Sequence, residues 1–114
     1  MNLKLKLAIK KEWQAAKQAD SDGDAASAFN HLERAHILSQ RWTSMHVRTH
    51  VAMLRHGLVR RDGRELAGQL ARILAAALFS RIWIPEGNTG GANVSAFQRM
   101  AVPADLASIL NEIV

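Results

Sequence analysis

The sequence predicts an all-α protein of four antiparallel helices, followed by a glycine-rich loop and a short C-terminal helix. Apolar residues and alanines recur at helical spacing over most of the first 83 residues. Clusters rich in Asp and Gly divide this stretch into segments of ordinary helix length. Residues 3–7 alternate leucine and lysine, but they run directly into a helical pattern, so no strand is expected.

The first predicted helix covers residues 5–19 and stops at the turn signal of residues 20–24. Asp24 can cap the second helix, which covers residues 25 to about 39, because a short acidic side chain accepts from free N–H groups of the first turn. A third helix is predicted over residues 43–60. The turns between these helices are short, so consecutive helices should pack side by side.

The fourth predicted helix covers residues 64–83 and follows a break at residues 61–63. Its apolar stripe is expected to face the core. The stripe consists of Leu66, Leu70, Ile73, Leu74, Ala77 and Leu78.

The rest of the chain reads as a loop and one short helix. Residues 85–102 hold three glycines and show no periodicity, which is typical of a compact loop and would suit a cover for the open end of the bundle. Residues 103–113 form the predicted C-terminal helix, with Pro103 suited to its first turn.

Length and composition predict a single domain spanning residues 1–114. A chain of 114 residues with 48% hydrophobic content can bury one modest core. It contains no cysteine, which excludes disulfides, thiolate zinc sites and cysteine nucleophiles, so any metal must be held by nitrogen and oxygen. The N-terminal residues have no continuous apolar stretch, and a cytoplasmic location is expected.

A membrane span is not expected. The most hydrophobic window, residues 66–84, is interrupted by Gln69, Arg72 and Arg81, and a span rarely tolerates two arginines.

The net charge of +5 raises the question of a nucleic-acid partner. Three Phe, three Trp and no Tyr offer little for stacking bases, so nucleic-acid binding is disfavoured and a solvated basic helix end is favoured. The basic cluster around one turn consists of Arg55, Arg60, Arg61 and Arg64.

The first hairpin resembles one tetratricopeptide repeat. No second copy occurs at a 34-residue period, and such repeats need neighbours to bury their faces, so a longer solenoid is not supported. A tetratricopeptide-like interaction module, with a protein partner or a second copy of the chain, is one alternative for the function. The matching positions are Ala16, Gly23, Asp24, Ala28, Leu32 and Ala35.

Four potential metal ligands are placed symmetrically about the turn between the second and third helices. Glu33 and His36 precede it, and His46 and His50 follow it. On a helix, spacings of three and four residues separate side chains by about 60° and 40°, so each pair points one way. If the helices fold back on one another, both pairs lie at about the same level. The sequence therefore predicts a metal site of three histidines and one glutamate.

Imidazole nitrogen and carboxylate oxygen suit divalent transition metals, with zinc as the first candidate and copper, nickel and iron as alternatives. Four protein ligands would close the site, as in metal storage, buffering or handover. Three ligands, with Glu33 turned away, would leave a position for water, so a metalloenzyme of unknown substrate is a further alternative.

Two enzyme templates fit poorly, which favours a protein without catalytic activity. The i, i+4 histidines of a zinc-protease helix are present, but Val47 stands where its glutamate would be. The Glu-x-x-His motif of di-iron bundles occurs once, at Glu33, where such sites need two plus further glutamates. Glu12 and Glu65 are weaker candidates, as extra ligands or as acceptors for a ligand histidine.

The competing interpretation is structural, since His36 shares a helix face with Phe29 and Leu32 and could be a core histidine with a satisfied hydrogen bond. Three converging imidazoles are harder to explain by packing, because burying them costs desolvation without much apolar contact. His31 and His56 are expected to be peripheral.

Nearly the whole chain resembles a small bacterial family of unknown function. The resemblance is carried by residues 31–38 (HLERAHIL), by His46 and His50, and by residues 87–97 (GNTGGANVSAF). Members of that family are often encoded beside heavy-metal efflux and metal-responsive regulator genes. The resemblance implies a metal-linked role, such as heavy-metal resistance, and supplies no catalytic residues.

Overall fold

The described part of the chain is all-helical, which confirms the predicted fold class. The computed structural model describes residues 2–79, 87–91 and 99–112, with the backbone alone for residues 76–79. No strand occurs among these residues. The helices are α1 (Leu3–Ser21), α2 (Ala25–Ser39), α3 (Thr43–Arg60), α4 (Gly63–Phe79) and α5 (Ala104–Asn111).

Each of the first three helices packs on the next one along the chain, and α5 packs on α2. The predicted bounds of α2 and α3 are confirmed. Outside the described residues lie the predicted continuation of the fourth helix to residue 83, residues 85–86 and 92–98 of the predicted loop, and the last residue of the predicted C-terminal helix. Within the described ranges, no helix is both long enough and apolar enough to cross a membrane.

The turn between α1 and α2 forms as predicted. Gly23 adopts a left-handed conformation, with φ of 77°, which a side chain would strain. The Asp24 carboxylate then accepts from the backbone N–H of Ser27 at 3.0 Å and caps α2.

The first helix, α1, begins two residues earlier than predicted, because the Asn2 side chain caps it by accepting from the N–H of Lys4.

The turn between α3 and α4 brings these two helices close together. Arg61 takes the left-handed conformation, with φ of 54°, and the Asp62 side chain accepts from the Glu65 backbone N–H at 3.1 Å. Gly57 is buried against α4, where a Cβ would lie 3.4 Å from the Cβ of Glu65. This contact places the first turns of α4 directly over α3.

The apolar core lies between α1, α2, α3 and α5. Its larger cluster joins the first turns of α1 to the end of α2, and a smaller cluster lies where Ala16, Leu32 and Met53 meet. The larger cluster consists of Leu5, Ile9, Ala35, Ile37, Leu38, Met45 and Leu106.

The apolar face predicted for α4 is wrong at two of its positions. Leu70 is 59% exposed and Leu74 is 63% exposed. The positions that α4 buries instead are polar, Glu65 and Gln69, which lie four residues apart on one face. The reason for this orientation is the hydrogen bonding of the histidines described below.

An ion-pair network ties α1 to α2 and α5. The Glu12 carboxylate accepts from Arg34 Nε at 2.9 Å and meets His31 Nδ1 at 2.7 Å. Arg34 also pairs with Asp105 at the start of α5. Glu12, considered above as a weaker metal-ligand candidate, is therefore engaged by this network.

We expect a leucine on the outward face of α4 and a core leucine of α2 to differ sharply in their sensitivity to substitution. Leu74→Gln should change the free energy of unfolding by no more than about 0.5 kcal/mol, as is usual at exposed positions. Leu38→Ala, at a side chain 1% exposed, should cost about 2–5 kcal/mol. Urea denaturation measures both. Equal losses for the two variants would contradict the orientation of α4.

Candidate metal centre

Three histidine side chains meet at the contact between α2 and α3. The Nε2 atoms of His36 and His46 are 2.9 Å apart, those of His36 and His50 are 3.1 Å apart, and those of His46 and His50 are 3.2 Å apart. All three residues are buried, with exposures of 3%, 8% and 2% in chain order. Among the described residues this is the one cluster whose donor atoms could hold a metal ion.

Helix geometry brings the three rings together. His46 and His50 lie one turn apart on the same face of α3, and the chain reverses at residues 40–42, so that face meets His36 on α2. The rings contact one another edge to face or tilted, with centroids 4.6–4.9 Å apart. The structure brings these three histidines together across the turn.

The outer nitrogen of His36 is held by the glycine-rich segment. His36 Nδ1 lies 2.7 Å from the backbone oxygen of Asn88. Gly90 lies against the same ring, because a Cβ on it would fall 2.6 Å from two ring carbons, and its φ of 83° is left-handed. Gly87 anchors the segment by donating its N–H to the Gln40 side chain at 3.2 Å. Residues 87–91 therefore cover the triad on the His36 side.

The outer nitrogen of His50 is held by α4. His50 Nδ1 lies 2.5 Å from Oε1 of Gln69, a side chain with no exposed surface. The amide orientation is fixed, because its nitrogen donates to Glu65 Oε1 at 2.6 Å and to the Gly90 oxygen at 2.8 Å. Gln69 thus connects α3, α4 and the glycine-rich segment.

These contacts determine where two of the ring protons lie. A carbonyl or amide oxygen can only accept, so Nδ1 carries the proton in His36 and in His50. Their Nε2 atoms then present lone pairs to the centre of the triad, which is the tautomer that binds a metal through Nε2. The outer nitrogen of His46, in contrast, is buried without a hydrogen-bond partner among the described residues.

All three rings are held in the neutral state. Burial lowers the pKa of His46 to about 3, with a further contribution from His50. Burial also lowers the pKa of His50 to about 4, against the opposing effect of its hydrogen bond to Gln69. For His36, burial and the two neighbouring rings lower the pKa well below its ordinary value. Neutral imidazole is the form that binds metals, so the ligands need not lose charge at neutral pH.

Glu33, the fourth predicted ligand, does not join the cluster of three donor groups. It is half-buried, one turn before His36 on α2. Burial raises the pKa of its carboxyl group, the nearby Thr89 side chain opposes this, and the negative charge of Glu65 adds to it. Glu33 therefore lies close to the covering segment and to Glu65.

Sequence reasoning missed two residues that hold the triad. In the sequence, Gln69 interrupts an apolar window and Asn88 lies in the predicted loop, and neither position signals a contact with the histidines. The available signal was the amide of Gln69 in the middle of an apolar helix, since a buried amide needs partners. Glu65 was a candidate acceptor for a ligand histidine. It accepts instead from the Gln69 amide nitrogen, and Gln69 in turn contacts His50.

Fold and site together define a small all-α protein whose buried histidine triad could hold a metal ion. Residues 3–110 match the family described as protein of unknown function (DUF3703). The chain belongs to this family, which confirms the resemblance to a family of unknown function. No curated protein and no solved structure matches the chain significantly.

We expect the metal-free protein to lose stability in mild acid. The folded-state pKa values of about 3 for His46 and about 4 for His50 lie below the usual unfolded value of about 6.5. Stability from these rings is therefore complete above about pH 6.5 and falls as the pH drops toward 4. The slope should be about 1.4 kcal/mol per pH unit for each ring.

Urea denaturation of chelator-treated protein between pH 7.5 and 4.5 measures this slope. His50→Asn should reduce the slope by the contribution of one ring, about 1.4 kcal/mol per pH unit. This reduction does not depend on the stability of the variant at pH 7.5. A free energy of unfolding that stays flat below pH 6.5 would show that the rings are not held neutral in the folded state.

Proposed function

We propose that this protein binds one divalent transition-metal ion between α2 and α3 and serves metal buffering, handover or resistance in the cytoplasm. The ligands are Nε2 of His36, His46 and His50, with Glu33 as the fourth ligand. The observation that carries the proposal is the convergence of three buried Nε2 atoms within 2.9–3.2 Å of one another.

The spacing of these atoms supports a tetrahedral ion. With zinc–nitrogen bonds of about 2.0–2.1 Å, the ligand nitrogens of a tetrahedral site lie about 3.3 Å apart. The three observed separations are only a few tenths of an ångström shorter. An ion therefore requires a slight opening of the triad and no rearrangement of the helices.

A purely structural role explains the triad less well. His36 and His50 turn two lone pairs toward each other across 3.1 Å, which is unfavourable unless a cation or a shared proton lies between them. The Asn88 oxygen and Gln69 Oε1 hold the outer nitrogens of the two rings and so keep both lone pairs turned inward. A site for a cation accounts for both features.

The donor set favours zinc, with copper, nickel and iron as alternatives. Three imidazoles suit all four ions, and the absence of cysteine removes the thiolates that softer ions prefer. Ligation by Glu33 would close the coordination shell, which fits buffering and handover better than catalysis. Its position one turn before His36 requires the carboxylate to turn toward the triad when the ion binds.

The first test is elemental analysis and calorimetric titration of tag-free protein with zinc, copper, nickel and iron. We expect about one equivalent of metal in the parent protein, and strongly weakened binding in His36→Ala and His50→Ala. At a free-ion concentration 100 times the dissociation constant, binding should add about 2.7 kcal/mol to the free energy of unfolding.

His31→Gln is the matched control, because it removes a histidine of α2 that contacts Glu12 outside the triad. It should keep full stoichiometry. If the parent protein binds none of these ions, the metal site is wrong, and the tetratricopeptide-like interaction module becomes the better explanation.

The role of Glu33 is tested by Glu33→Gln, which keeps the size of the side chain and removes its charge. We expect one equivalent of metal to bind still, with affinity lowered about 10- to 100-fold, as for other groups that support a metal site. The visible absorption of bound cobalt should shift, because a ligand has changed. Unaltered affinity and spectrum would exclude Glu33 as a ligand and leave a three-histidine site.

A further inference from the structure

The three histidines differ in what holds their outer nitrogens. His36 Nδ1 is 2.7 Å from the Asn88 oxygen, and His50 Nδ1 is 2.5 Å from Gln69 Oε1. His46 Nδ1 is buried and has no hydrogen-bond partner within the described ranges. The triad therefore has two rings fixed by neighbours and one ring that is not.

This difference leaves a single choice for the third ring proton. Three neutral rings carry three protons, and two of them are fixed on the outer nitrogens of His36 and His50. The remaining proton lies on His46, either on its buried outer nitrogen or on Nε2 at the centre of the triad.

The central position is the favourable one. On Nδ1, the proton would be a buried donor with no acceptor in the described part of the chain, and three lone pairs would face one another. On Nε2, it points toward two acceptors, His36 Nε2 at 2.9 Å and His50 Nε2 at 3.2 Å. The shorter of these distances is an ordinary N–H···N hydrogen bond.

We propose that His46 carries its proton on Nε2 in the metal-free protein, at the centre of the triad, and that an entering metal ion replaces this proton. The proposal rests on the proposed function, since it describes how the same site is loaded. It makes His46 the one ligand that must change tautomer.

The exchange keeps the proton count. The Nε2–H bond of His46 breaks and its proton passes to solvent water, while Nδ1 takes a proton from solvent. The ring stays neutral, and its Nε2 lone pair becomes available to the ion. His36 and His50 keep their protons where they are, so two ligands are ready before the ion arrives.

The same asymmetry makes His46 the weakest ligand. Once the ion is bound, the outer N–H of His46 has no acceptor among the residues that the structure describes, whereas those of His36 and His50 keep theirs. Acceptors behind a ligand histidine are typically worth about 10- to 100-fold in metal affinity. His46→Ala should therefore lose about 10-fold less zinc affinity than His50→Ala, and His46 should be the first ligand released in handover.

Nitrogen-15 NMR of the full chain tests the proposal, because protonated and unprotonated ring nitrogens have distinct shifts. In chelator-treated protein at pH 7.5, we expect Nδ1–H for His36 and His50 and Nε2–H for His46. After addition of one equivalent of zinc, all three rings should show Nδ1–H. Competition with a chromophoric chelator gives the affinities of the alanine variants.

The outcomes separate this proposal from the proposed function. His46 found as Nδ1–H in the metal-free protein overturns the inference even if zinc binds. Zinc binding that leaves His46 as Nε2–H, or equal affinity losses for His46→Ala and His50→Ala, also overturns it. If the metal-free pattern is found but no ion binds, the proposed function fails, and the exchange of proton for metal fails with it.

Gln69→Leu is the variant that tests the cause of the asymmetry. It removes the acceptor of His50, so His50 should no longer be fixed as Nδ1–H, while His36 keeps the Asn88 oxygen and should be unchanged. An unchanged His50 tautomer in a folded Gln69→Leu protein would overturn the argument. The spectrum of the parent protein decides the question if this variant does not fold.

Discussion

The burial of three imidazoles at one helix contact is the constraint on which the rest of this structure depends. A buried ring nitrogen without a partner is costly, and α2 and α3 supply none for the outer nitrogens of His36 and His50. The partners come from distant parts of the chain, Asn88 for His36 and Gln69 for His50. Satisfying them fixes the rotation of α4 and the path of the glycine-rich segment.

This constraint also explains why α4 turns leucines outward. Its buried positions, Glu65 and Gln69, form a chain of hydrogen bonds that ends on His50. Turning Leu70 and Leu74 inward would bury more apolar area, but it would remove the partner of a buried ring and expose the Gln69 amide. An unsatisfied buried polar group costs about 1–3 kcal/mol, and breaking this chain leaves several. Hydrogen bonding therefore decides the orientation that apolar periodicity alone assigns wrongly.

The sequence was sufficient for the features set by local rules and insufficient for those set by distant contacts. The bounds of α2 and α3, the Asp24 cap and the pairing of His36 with His46 and His50 follow from periodicity, turn residues and a short connection. The partners of the triad lie 19 and 52 residues away along the chain, where helical spacing carries no information. Helical spacing also does not determine how close Glu33 lies to the triad. A side chain about 60° around the helix from His36 can point past the centre of the three rings.

Charge is the remaining requirement of a metal centre built from neutral histidines. A buried dication needs negative charge nearby, and three imidazoles contribute none. Arg72 works against the ion, since its positive charge helps to lower the pKa of both His36 and His50. Two carboxylates can offset it, because Glu65 lies behind the Gln69 amide and Glu33 is close enough to Glu65 for their charges to interact. Burial raises the pKa of Glu33, and the charge of Glu65 adds to this effect. A bound cation would oppose both, so Glu33 favours the ion whether or not its oxygen is a ligand.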